Sequence, residues 1–309
     1  MRIKIGSRGS ELALWQANWV KSALEEKNPY LTAEIEIIKT QGDKMVDVPL
    51  SKVGGKGLFV KELEDALLKN EIDVAVHSMK DMPVELPPDL YIAAIPRRED
   101  PRDVLIGKTA KTFQVLPKFA SIGTSSLRRS AQILRHRPDL NIVPLRGNLS
   151  TRLRKLETDN LDAILLAAAG LHRLGQKDVI TEYLPEMVML PAIGQGALCI
   201  EARLNDEDVL PILQELDDPN TRLCITAERA FLKMLHGGCQ VPIGGNAVIH
   251  RDSLTLTGVV CSLDGRIEVR EVVSGKPEEA EQLGIALAET LLAKGARDIL
   301  EVVYKESSM

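Results

Sequence analysis

A chain of 309 residues with 44% hydrophobic and 27% charged residues is long enough for two or three hydrophobic cores, and its balance excludes a disordered chain. No apolar run approaches the ~20 residues that span a bilayer, and the start, Met1-Arg2-Ile3-Lys4-Ile5-Gly6, lacks the long apolar stretch of a secretory signal, so a cytoplasmic protein without a membrane segment is expected. The net charge of -5 conceals a basic stretch in which Arg128, Arg129, Arg135, Arg137, Arg146, Arg152 and Arg154 meet a single acid, Asp139. With aromatic residues at only 3%, few platforms exist for stacking bases, so small polyanions suit this stretch better than nucleic acid.

In chain order, β-rich runs at Ile3–Ile5, Ile35–Ile38 and Ile72–Val76 alternate with helical patterns from Glu11 to about Leu24 and near Phe59–Lys69. A second α/β series follows: Ser121–Ile122, a helix near Leu127–Arg137, Asn141–Val143, a helix near Leu149–Leu156, and Ala163–Leu166. Proline-bounded connectors at Pro96–Arg102 and Pro191–Gly196 predict that the chain crosses into a second lobe and returns, with Ala197–Glu201 completing the first sheet. Beyond them come helices at about Asp206–Leu216 and Arg222–Leu235, a hairpin of Leu254–Val260 and Ile267–Val273 through Asp264-Gly265, and a long helix over Pro277–Lys294. The expected domains are 1–96 with 197–216, then 102–190, and a small α+β domain over 220–309, with hinges near 97–101 and 191–196.

The two α/β series echo each other where a strand meets a helix, as Ile5-Gly6-Ser7-Arg8 and Ile122-Gly123-Thr124-Ser125. Exposed backbone N–H groups and the helix dipole make such junctions anion sites, although taken alone the hydroxyl residues are better explained by ordinary N-capping. Arg8 and the Arg128-Arg129 pair favour anions. His77-Ser78-Met79-Lys80-Asp81-Met82-Pro83 follows a buried strand and should emerge at the carboxyl edge of the sheet, where ligand sites gather. Asp81 there suits stabilisation of a cation or proton transfer and Lys80 suits a carboxylate, but in isolation the segment reads better as a surface turn carrying an Asp–Lys pair. Arg146 and Arg152 flank a glycine-bearing helix start, where the planar guanidinium fits bidentate carboxylate binding, while Arg135, Arg137 and Arg154 read as a solvated face.

Lys52-Val53-Gly54-Gly55-Lys56-Gly57-Leu58-Phe59 fails the phosphate-loop pattern because Gly57, not Ser or Thr, follows Lys56. It is either a basic lid, with Lys52, Lys56 and Phe59 as its candidate contacts, or an exposed glycine loop. The four cysteines have neither zinc spacing nor disulfide density, so neither a metal site nor a disulfide is expected. Cys199, Cys224 and Cys261 read as buried packing. Cys239, in Gly237-Gly238-Cys239-Gln240-Val241-Pro242, is by spacing alone as compatible with a buried thiol as with a functional one.

Six segments in register resemble the porphobilinogen deaminase (hydroxymethylbilane synthase) family across nearly the whole chain. They are Ile5-Gly6-Ser7-Arg8-Gly9-Ser10, Val76–Pro83, Gly123-Thr124-Ser125-Ser126-Leu127-Arg128-Arg129, Leu145-Arg146-Gly147-Asn148, Pro191–Gly196 and Gly237–Pro242. The resemblance implies two lobes of the type II periplasmic-binding-protein kind plus a small α+β C-terminal domain. It implies a dipyrromethane cofactor held by Cys239 through a thioether and retained as a primer. Four porphobilinogen molecules then add with loss of ammonia, and water releases hydroxymethylbilane.

By the same resemblance, Lys80, Thr124, Ser126, Arg128, Arg129 and Arg146 bind the cofactor. Arg8, Ser10, Arg152 and Arg173 bind substrate, and Asp81 is the catalytic acid that contacts pyrrole nitrogens. Small-molecule porphobilinogen is the expected partner, without nucleic acid or membrane, in a monomer. The rival reading is a two-lobed anion-binding module without catalysis, which has no use for the Cys239 segment or a third domain.

Overall fold

A computed structural model describes residues 1–44, 59–237 and 241–307. Along the chain the elements are β1 (Arg2–Ser7), α1 (Glu11–Lys27), β2 (Thr32–Ile37), α2 (Lys61–Leu68), β3 (Val74–Ser78), β4 (Leu90–Ala94), β5 (Asp103–Gly107), β6 (Ser121–Gly123), α3 (Leu127–His136), β7 (Asn141–Val143), α4 (Leu149–Thr158), β8 (Ala163–Ala167), α5 (Ala168–Arg173) and β9 (Glu182–Tyr183). They continue with β10 (Leu198–Arg203), α6 (Leu210–Gln214), α7 (Pro219–Met234), β11 (Ile243–His250), β12 (Ser253–Cys261), β13 (Glu268–Gly275), α8 (Ala280–Leu291) and α9 (Arg297–Ser307).

The described residues form three sheets. Two are five-stranded, with orders β2-β1-β3-β10-β4 and β7-β6-β8-β5-β9, and the third is the antiparallel β11-β12-β13. In the first sheet β1 runs parallel to β2 and β3, while β10 runs antiparallel to both β3 and β4. In the second, β6 runs parallel to β7 and β8, while β5 runs antiparallel to β8 and β9. The orders are therefore the same, and in each sheet the antiparallel strand is the first one after a crossing. The chain is mixed α/β with two lobes of like topology and a small C-terminal domain of three strands and helices.

The chain divides into one unit of Met1–Val48, Gly54–Glu99 and Gly196–Arg222 and another of Pro49–Val53, Asp100–Gln195 and Leu223–Met309. In the first, α1 is capped by Ser10, whose side chain accepts from the Ala13 N–H, and buries Ala13, Gln16, Ala17, Val20 and Leu24 at helical spacing. Ala17, Val20 and Leu24 pack on Ile3, Ile5, Val74 and Val76. On the opposite face Leu63, Ala66 and Leu67 of α2 pack on Ile72, Ala75 and Leu90. Because helices cover both faces, β3 is buried from Val74 through His77.

Several boundaries depart from the sequence expectation. β3 lies two residues later than Ile72–Val76, which places His77 and Ser78 inside the sheet, paired opposite Cys199 and Leu198. α6 is shorter than Asp206–Leu216 because Pro211, which lacks an N–H, fits only a first helical turn. The helix expected over Pro277–Lys294 is helical throughout but not uniform: a tight turn at Pro277–Glu279 leads into α8, a wider turn follows from Leu292, and Gly295 at φ 106° parts it from α9. β11 was not foreseen, since glycine pairs have little strand propensity. Gly244 is needed there because a Cβ would lie 2.9 Å from the Leu190 carbonyl oxygen.

Candidate active site

In the first unit, the carboxyl ends of β1 and β3 lie on one edge of the sheet. After β1 the chain presents Arg8 and Ser10 before entering α1; after β3 a single tight turn, Met79–Asp81, is anchored by its buried Met79. Arg8, Ser10, Gln16, Phe59, His77, Ser78 and Asp81 line one hollow at this edge. The Arg8 guanidinium sits 4.1 Å from the centre of the Phe59 ring, a cation–π contact that orients the cation. Gln16 donates from Nε2 to Ser78 Oγ at 3.2 Å. Since Ser10 Oγ accepts from a backbone N–H, its hydroxyl proton is available to an acceptor. A cation, a carboxylate and hydroxyl donors thus share one hollow, and Lys80 belongs to the same turn as Asp81.

In the second unit the equivalent edge carries the basic stretch. Thr124 follows β6, its backbone N–H donating to the Val143 carbonyl and its Oγ1 accepting from the Ser126 N–H. Ser126 caps α3 by accepting from the Arg129 N–H. Gly147, at φ 112°, turns the chain into α4, where Asn148 caps the helix and Arg152 Nε donates to the Gly147 carbonyl at 2.8 Å. Arg146 precedes this turn and Arg173 ends α5, which follows β8.

Arg128 and Arg129 are 5% and 6% exposed and both bind Asp103, which is fully buried at the start of β5. Arg128 also donates to the Leu190 carbonyl and Arg129 to the Leu165 carbonyl. Burial alone would raise the Asp103 pKa, but the charges and hydrogen bonds of Arg128 and then Arg129 outweigh it and hold the carboxyl at about 2. Two guanidinium ions against one carboxylate leave a net positive charge, a setting that favours anions.

Arg8, Ser10, Phe59 and Asp81 therefore meet in one hollow, and Thr124, Ser126, Arg128, Arg129, Arg146 and Arg152 gather on one sheet edge. Cys239, Lys52 and Lys56 lie outside the described residues. Cys199, Cys224 and Cys261 are buried and in no disulfide, in keeping with their reading as packing residues. Arg137 is not a solvated residue: it binds Asp139 and donates to the carbonyls of Phe113, Leu116 and Pro117. Sequence reasoning missed Asp103, whose signal was an acid opening the apolar run Val104-Leu105-Ile106, and it missed Gln16, a buried amide on the apolar face of α1.

The family model "Porphobilinogen deaminase, dipyromethane cofactor binding domain" matches residues 3–211, and "Porphobilinogen deaminase, C-terminal domain" matches residues 222–293. The chain belongs to the porphobilinogen deaminase family. Porphobilinogen deaminase of Geobacter metallireducens is 56% identical over 304 residues, covering 98% of this chain and 95% of that protein. That of Syntrophobacter fumaroxidans is 53% identical over 303 residues, covering 98% of each. Among solved structures, a putative methionine-binding lipoprotein of Bacillus subtilis aligns over 70% of this chain and 89% of its own, with a TM-score of 0.42 and 15% identity.

Family membership makes the chain a transferase with a dipyrromethane-binding domain. The donor set fits that group. Each pyrrole of a dipyrromethane bears acetate and propionate arms, and such carboxylates need cations and hydroxyl donors. The second sheet edge supplies both, with Arg128 and Arg129 held in place by Asp103.

Proposed function

We infer that this chain condenses four porphobilinogen molecules in sequence, with loss of ammonia, and releases hydroxymethylbilane by hydrolysis for tetrapyrrole synthesis. The observation that carries the reading is the placement of Asp81 and Arg8 in one hollow at the carboxyl edge of the first sheet. Asp81 stabilises the positive charge that develops on a substrate pyrrole as ammonia departs. Arg8, Ser10, Arg152 and Arg173 hold the acetate and propionate groups of substrate. Lys80, Thr124, Ser126, Arg128, Arg129 and Arg146 hold the carboxylates of the dipyrromethane, with Cys239 as its covalent anchor. When bound, that group supplies the nucleophilic pyrrole carbon on which the product is built.

In this reading the enzyme is a cytoplasmic monomer that uses no nucleic acid, with lobes of 1–96 plus 197–216 and of 102–190 and a third domain of 220–309. A combined mass and turnover measurement tests it. Intact mass should show a dipyrromethane adduct that maps to Cys239 and is lost in Cys239→Ser. Loaded Asp81→Asn should fold normally and turn over porphobilinogen at least about 100-fold more slowly, the scale of removing one electrostatic stabiliser. A fully active enzyme with unmodified Cys239, or an Asp81→Asn variant at the normal rate, refutes the respective assignment.

A further inference from the structure

Three titratable side chains that the proposed reaction does not use meet between the first sheet and α2. His77 Nε2 lies 3.1 Å from Glu201 Oε2, with the two side chains 3% and 0% exposed. The pairing follows from the sheet: Glu201 on β10 stands opposite Ala75, two residues before His77 and therefore on the same face. That face also meets α2, whose Glu64 is buried beside Leu63, Ala66 and Leu67. Oε1 of Glu201 and Oε1 of Glu64 are both buried without a hydrogen-bond partner among the described residues. Two acids and an imidazole on an otherwise apolar face are costly to bury, so their presence calls for a reason.

Position supplies one. His77 also lines the hollow that contains Asp81 and Arg8, and the chain runs from His77 through Ser78 directly into the turn that bears Asp81. α2 begins just after Phe59, the ring against which Arg8 is set. His77 therefore links the buried Glu201 to the wall of the hollow.

We propose that Glu201 is a positioning residue for the Asp81 hollow, acting through His77, with Glu64 as the second acid of the same buried group. The carboxylate of Glu201 can only accept, so His77 Nε2 donates its N–H to it, fixing the ring and the end of β3 from which Ser78 and Asp81 project. Without that acceptor a buried imidazole N–H loses its partner and the strand end is free to shift; a displacement of ~1 Å can cost about 100-fold in rate.

Glu64 adds a pH dependence. Burial first, and then the charge of Glu201, push its pKa up to about 7. Charged groups that face it are Glu201 and His77 from the strands and Asp65 from its own helix. Arg203, farther along β10, binds Asp73, Asp206 and the carbonyls of Leu67 and Ile72 instead. Below its pKa Glu64 is neutral beside the His77–Glu201 pair; above it, a second buried anion competes with Glu201 and loosens the seat. The sign follows: a carboxyl whose folded pKa exceeds its ordinary 4.5 contributes stability at low pH that is lost as pH rises through about 7.

The test rests on the porphobilinogen deaminase reading and uses cofactor-loaded enzyme, with loading checked by intact mass. Glu201→Leu, which removes the acceptor, should lower kcat about tenfold or more with KM within about threefold, and should move the His77 ring nitrogen signals in NMR. Glu64→Gln, a neutral isostere, should extend turnover to higher pH, shifting the alkaline limb of the kcat profile by about one unit or more, and should flatten the decline of stability from about pH 5 to 8. Failure of the wild type to consume porphobilinogen would sink the family reaction, not this inference. An active wild type whose Glu201→Leu variant keeps its rate and its His77 signals would overturn the role of Glu201. An unchanged alkaline limb and stability profile in Glu64→Gln would overturn that of Glu64. Should Glu201→Leu not fold, Glu201→Asp decides: a carboxylate drawn back by one methylene should lower kcat and move the His77 signals, and wild-type values of both would overturn the role of Glu201.

Discussion

Asp103 illustrates how one side chain sets the electrostatics of a site without facing a ligand. Its carboxylate accepts from Arg128 Nη1 at 2.7 Å and from Arg129 Nε at 2.8 Å, and all three groups are buried. Removing one partner from such a cluster leaves uncompensated buried charge, worth about 3–5 kcal/mol. Asp103→Asn should therefore lose about that much stability in urea titration and load cofactor poorly. The pH dependence has a definite sign. A folded pKa of about 2 against an ordinary 3.8 means a contribution present above 3.8 and lost as pH falls through about 2, and Asp103→Asn should lack that acid limb. A variant as stable as the parent would show that the arginines find other acceptors. Cys261 is the contrasting case: burial, reinforced by Glu268, pushes its thiol up to about 12, which makes it inert.

Among the elements, the turn between β12 and β13 shows how a local motif acquires a tertiary duty. Asp264-Gly265 has the composition of a hairpin turn, and Gly265 adopts φ 71°. The turn also seats against α3, where a Cβ on Gly265 would lie 2.4 Å from the Ala131 carbonyl oxygen and 2.6 Å from the Arg135 nitrogen. Arg135 donates from Nη1 to the Arg266 carbonyl, so this arginine of the basic stretch serves the C-terminal domain. Gly265→Ala thus combines an unfavourable φ with a backbone clash and should cost about 1–3 kcal/mol. Thermal melting would read this as a drop of several degrees; an unaltered melting temperature would mean that the turn does not bear on α3.

For the whole molecule, the repeated strand order places the cation-bearing junctions at equivalent sheet edges, Arg8 after β1 and Arg128 and Arg129 after β6. In the second unit Arg128 and Arg129 exceed the one buried acid they share, Asp103, and an anion offsets that excess. A bound dipyrromethane should therefore stabilise the native state as any native-specific ligand does. Calorimetry of loaded protein against unloaded Cys239→Ser should show a melting temperature higher by about 5 °C or more in the loaded form. Equal values would indicate that the chain's own acids already balance these cations.

Much was legible from sequence because it rests on local chemistry. Hydrophobic periodicity located the principal strands and helices, the small hydroxyl residues marked two strand-to-helix junctions whose caps are Ser10 and Ser126, and six motifs in register specified the family. Arg8 and Arg146 could be singled out because a charge next to a helix start has few structural uses, whereas Asp81 needed the family resemblance of its motif. What required tertiary structure was which distant groups meet. Asp103 reaches arginines 25 and 26 residues onward, Glu201 reaches His77 across 124 residues, and Phe59 stacks on Arg8. Sheet order and register decide those meetings, and a one-residue shift would send Glu201 to the opposite face. Local sequence determined the parts and their family, while the packing of β3 and β10 beneath α2 decided which buried acid stands behind the Asp81 hollow.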